Sequence, residues 1–97
     1  VRISLKEAVE LFRDWKERPI LVKVTMALRE RVGVFDWYIC KVSPSGRLMF
    51  LDPNNGKREA VNLQGATWTL TSSTDPRLGE SVAARLARGM VTLSEIR

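Results

Sequence analysis

Histidine is absent from this chain, and cysteine occurs once, at Cys40. Without an imidazole there is no Ser-His-Asp triad and no ordinary general base near neutral pH. The commonest metal ligand is missing too. A single thiol rules out an internal disulfide. Flanked by Ile39 and Lys41 in a strand-like stretch, Cys40 reads as a small core residue. No Cys/His/Asp cluster stands at a metal-ligand spacing, so neither metal nor cofactor is expected. Gly33, Gly46, Gly56 and Gly65 are isolated turn or bulge glycines, not a phosphate-binding loop. No carboxylate pair is spaced for glycosidase-type acid and base work. Asp36, between Phe35 and Trp37, reads as outward-facing or satisfied, and Asp52 before Pro53 reads as a turn residue. The chain is therefore expected not to be an enzyme.

No apolar run approaches the roughly 20 residues that span a bilayer, and no basic segment leads into an apolar one as a secretory signal would. Membrane contact is not expected, and a cytoplasmic setting is the default. The chain starts at Val1, so either an initiator has been removed or the sequence belongs to a longer protein.

What is present is an ordinary globular composition, 44% hydrophobic and 28% charged over 97 residues, which predicts one domain over 1–97. The net charge is +5, and eleven arginines outnumber five lysines. A planar guanidinium donates two parallel hydrogen bonds to phosphate or carboxylate, so the excess is compatible with a polyanionic partner. The plainer alternative is that arginines answer nearby Glu and Asp.

Ser4-Leu5-Lys6-Glu7 is a capping box, and Leu5, Ala8, Val9, Phe12 and Trp15 then recur at helical spacing. This predicts a helix over 4–18, ended by Pro19, with Trp15 in the core. Five strand-like segments follow: 20–29, 32–43, 47–52, 57–63 and 66–71. In the first, Val22, Val24, Met26 and Leu28 share one face. In the second the apolar parity changes after Ile39, as a β-bulge would make it. Pro44-Ser45-Gly46 is a turn, and Asn55-Gly56 favours a type I′ hairpin. Asp75-Pro76 reads as N-cap and first helical residue. Leu78, Val82 and Leu86 give an apolar stripe and Gly89 a stop, which predicts an appended helix over 75–89 with Arg77, Arg85 and Arg88 on another side. Thr92-Leu93-Ser94-Glu95 is a second capping box, with no helix behind it. The expected architecture is α+β: an N-terminal helix, a five-stranded, strongly bent antiparallel small β-barrel over 20–71, and a C-terminal helix.

That layout resembles the Sm-like family of small RNA-binding barrels over roughly residues 4–71. Val61-Asn62-Leu63-Gln64-Gly65-Ala66-Thr67-Trp68 lies where the family's second motif falls, with Gly65 matching and Gln64 in place of an arginine. Val42-Ser43 and Arg47-Leu48-Met49-Phe50 can be laid on the first motif, with Ser43 for Asp and Arg47 for Asn. The resemblance implies a non-catalytic module for single-stranded RNA, of low sequence specificity because these residues differ. It also implies a homo-oligomer through strand edges. Ser43 and Gln64 enter as site residues through the resemblance. Lys41, Arg47, Lys57 and Arg58 enter through their charge at strand ends and loops. The rival expectation is a protein-interaction or assembly module using its sheet edges, with no nucleic-acid role.

Overall fold

The computed structural model describes residues 1–97. A short strand β1 (Arg2–Ile3) precedes the helix α1 (Leu5–Glu17). Seven strands follow: β2 (Leu21–Leu28), β3 (Val32–Val42), β4 (Arg47–Leu51), β5 (Arg58–Asn62), β6 (Thr67–Ser72), β7 (Leu78–Leu86) and β8 (Gly89–Ile96). All eight form one antiparallel sheet in the order β1-β6-β7-β8-β2-β3-β4-β5.

The helix forms where its cap allows. The Glu7 amide donates to Ser4 Oγ, and the Ser4 amide donates to Glu7 Oε1, both at 3.1 Å. Ala8, Val9, Phe12 and Trp15 are buried against the concave face of the sheet. Replacing Ser4 by Ala is expected to lower the stability by about 1 kcal/mol. In urea denaturation this would read as a lower midpoint with an unchanged slope; an unchanged midpoint would deny the cap its role.

The predicted bulge is present: pairing between β3 and β4 slips between Ile39 and Lys41, so that Cys40 is the extra residue. Across the sheet, the inward residues of every strand from β2 to β8 join one core with Phe12 and Trp15. The sheet is open but strongly curled. β7 and β5 stand five places apart, about 24 Å in a flat sheet. Yet the Arg88 guanidinium in the β7–β8 turn donates to the Asn62 carbonyl on β5. The Arg31 guanidinium, from the β2–β3 turn, pairs with Glu59 on β5 at 2.9 Å.

Three expectations are corrected here. Residues 20–71 do not make a closed five-stranded barrel, because β8 occupies the edge of β2 at which such a barrel would shut. It pairs with β2 from Val22–Glu95 to Leu28–Gly89. β5 and β6, consecutive in sequence, are thereby sent to opposite ends of the sheet. Nor is there a C-terminal helix over 75–89. Asp75 and Pro76 lie in a loop in which Asp75 Oδ1 accepts from the Arg77 amide at 2.9 Å, and the stripe Leu78, Val82, Leu86 lies on β7. The Thr92–Glu95 capping box is interior to β8. Finally, the β4–β5 hairpin is not type I′. Only Gly56 has positive φ, at 71°, and its amide donates to the Asp52 carbonyl across a longer loop.

Candidate functional site

The bulge in β3 sends its last residues past the end of α1 into a sharp turn. Ser43 fixes that turn. Its amide donates to the Arg47 carbonyl at 2.9 Å, and its Oγ accepts from the Arg47 amide at 3.0 Å. Its hydroxyl also shares a 3.0 Å hydrogen bond with Ser45 Oγ. Gly46 closes the turn at φ 96°, and its carbonyl accepts from the Leu63 amide at 2.9 Å. Arg47 is therefore presented from a backbone that is already organised.

Beside this turn lies a groove of about 440 Å³. Its charged lining is Lys16 from α1, Lys41 from β3 and Arg47 from β4. The rest of the lining is Ser43 with Val42, Leu48, Met49 and Ala60. Met49 and Ala60 share a face with Lys41 and Arg47, while Val42 and Leu48 pair on the core side. No carboxylate lines it, and none of its three cations makes an ion pair. Elsewhere four of the arginines are answered, Arg31 by Glu59 among them. Arg18 pairs with Asp14 at 2.7 Å, Arg77 with Asp75 at 2.9 Å and Arg88 with Glu30 at 2.9 Å. The plain reading of the basic excess thus holds for the helix end and the hairpin turns. It fails at the groove, as it does for the scattered Arg2, Arg13, Arg29, Arg58, Arg85 and Arg97. What sets the groove apart is that three cations share one lining without an acid.

Of the six residues singled out in the sequence, Lys41, Ser43 and Arg47 meet here. Ser43 is spent on the turn, so it positions Arg47. Gln64 follows Leu63 at the same end of the sheet but lies outside the groove, with its amide on Asn62 Oδ1 at 2.9 Å. Lys57 and Arg58 are elsewhere. Arg58 stands opposite Leu51, the far end of β4 from Arg47, about 13 Å along the strand. Lys16 was not legible as a site residue, because only the packing of α1 on β3 brings the helix end to this turn.

Other hollows are less suited to one ligand sign. The largest, about 600 Å³, sets Asp75 and Glu80 against Arg97. There the Arg77 side chain, and then its amide, hydrogen-bond the Asp75 carboxyl and hold it at about 2 instead of 3.8. Asp36 is exposed on the outer face, opposite Lys23 on β2, as an outward-facing acid should be. Cys40 is a free, half-buried thiol at the bulge. No helix is long and apolar enough to cross a membrane.

No protein family matches the chain, and no curated protein or solved structure matches it significantly.

Proposed function

We propose that this chain is a non-catalytic module that binds single-stranded RNA, with little sequence preference, along the Lys16–Lys41–Arg47 groove. The observation that carries the reading is the convergence of three unpaired cations on a half-apolar groove with no acid in its lining. Cations along a groove track a phosphate backbone, and apolar side chains between them tolerate any base.

Replacing Lys41 and Arg47 together by Ala is expected to weaken binding about tenfold, equally for oligo-uridine and oligo-adenosine. It should also flatten the dependence of log affinity on log salt by about 1.4, since roughly 0.7 is lost per phosphate contact on a single strand. Fluorescence anisotropy at two salt concentrations measures both. If neither oligomer binds the folded wild-type chain at low salt, the reading fails.

A second reading, protein contact, is favoured by the outer face of the sheet, where Val32 and Val34 are 78% and 58% exposed. The sheet edges support it less. β1 has two residues. On β5 the Leu63–Gly46 bond sets the register so that the amides of Arg58, Ala60 and Asn62 face outward, and Arg88 already takes the Asn62 carbonyl. The edge left to an assembling strand is short, the outward amides of these three residues with the carbonyls of Arg58 and Ala60.

A further inference from the structure

We infer that the groove seats a nucleobase as well as a phosphate, so that its ligand is recognised as a nucleotide unit rather than as charge alone. The inference rests on the single-strand reading above and adds to it what occupies the apolar part. Arg47 and Met49 are two residues apart on β4 and so share a face, about 7 Å apart along the strand, the scale of one nucleotide. Met49 stands opposite Lys41 on β3 and Ala60 on β5, and all three line the groove. Ala60 is the smallest member of that row, and a larger residue there would cover the Met49 thioether. The thioether is a polarisable, adaptable surface for a flat ring of any identity. Val42, opposite Leu48, is turned to the core side, so the apolar floor on this face is Met49 and Ala60, with Lys41 beside it and Arg47 at the turn. A purely electrostatic polyanion site has no use for this floor. A base lying on Met49, with its phosphate against Arg47 and Lys41, uses both halves.

The test is fluorescence anisotropy of the full chain at low salt with three labelled probes of equal phosphate number: oligo-uridine, oligo-adenosine and an abasic sugar–phosphate oligomer. The base-bearing probes are expected to bind about tenfold more tightly than the abasic one. Met49→Ala should bring the three within about twofold of one another without changing the salt slope. Ala60→Gln, which fills the seat from the neighbouring strand, should do the same if Met49→Ala is poorly folded. An abasic probe that binds wild type as tightly as oligo-uridine overturns the base seat and leaves the electrostatic reading intact. So do variants that weaken all three probes equally. Absence of binding by every probe overturns both.

Discussion

Gly89→Ala is expected to remove most of the stability of this chain, by at least about 4 kcal/mol. A domain of this length holds roughly 5–15 kcal/mol in all. Gly89 has φ 138°, which an L side chain rarely adopts. It also stands opposite Leu28 where β8 begins, after the two-residue turn that joins β7 to β8. A Cβ there would lie well inside van der Waals contact of the Ala27 carbonyl oxygen and 3.0 Å from both the Ala27 carbonyl carbon and the Leu28 Cα. Every one of these atoms is backbone, and moving them breaks the seam between β8 and β2 at the centre of the sheet. Gly56→Ala is the control. It also has positive φ, but nothing lies within 4 Å of its added Cβ, so it should cost only about 1–2 kcal/mol. Urea denaturation followed by circular dichroism separates strain alone from strain plus collision. A Gly89→Ala protein within 1 kcal/mol of wild type, on the order of the control, would show that the seam yields.

The second large effect is expected at Phe12, where truncation to Ala should cost about 3–5 kcal/mol. Phe12 is wholly buried. Its ring lies 5.7 Å from that of Trp15 on the same helix and 5.6 Å, edge-on, from that of Trp68 on β6. It thus ties α1 to the half of the sheet that β6 and β7 build, while most of the helix contact is with β3. The cavity left by Ala would adjoin both indoles, so the fluorescence of Trp15 and Trp68 should shift to the red before global unfolding. Phe12→Leu, which keeps most of the volume, should cost about 1 kcal/mol. If Phe12→Ala melts within a degree or two of wild type, the helix is not what the concave face is built around.

The two substitutions probe different levels of the fold, and the sequence spoke to those levels unequally. The helix was legible because its signals are local. The Ser4–Glu7 reciprocal bonds need only four residues, and Pro19 ends the pattern without help from the rest of the chain. Each strand between Leu21 and Ser72 was legible to within a residue or so for the same reason. Alternation at Val22–Leu28 and the parity change after Ile39 are imprinted by which side chains must be buried. The bulge at Cys40 follows from that parity change alone.

Residues 78–96 were read wrongly because a spacing of four is even. Leu78, Val82 and Leu86 fit a helical stripe, but Val82 and Leu86 equally share one face of a strand, where Ala84 joins them, and a register slip between Leu78 and Ser81 turns Leu78 to the other face. An aspartate that accepts from the amide two residues on begins a loop as readily as a helix. Local propensity cannot break that tie; the edges of β6 and β2, between which β7 and β8 insert, do so by supplying partners for two strands. The type I′ expectation at Asn55-Gly56 failed in a similar way, since the loop length between β4 and β5 let Asn55 keep negative φ.

The basic groove divides along the same line. That Lys41 and Arg47 flank one tight turn is a consequence of sequence spacing. That Lys16 joins them, that no acid does, and that Lys57 and Arg58 stand at the other end of β4 follow from how the helix docks and how the sheet curls. By itself the chain determined its helix, the positions of its strands and turns between residues 20 and 72 and its excess of positive charge, because burial parity and capping act over a few residues; the short β1 was not among them. Strand order, the open rather than closed sheet and the composition of the groove were decided by the tertiary structure. Contacts between residues dozens of positions apart choose among partners that local chemistry leaves equivalent.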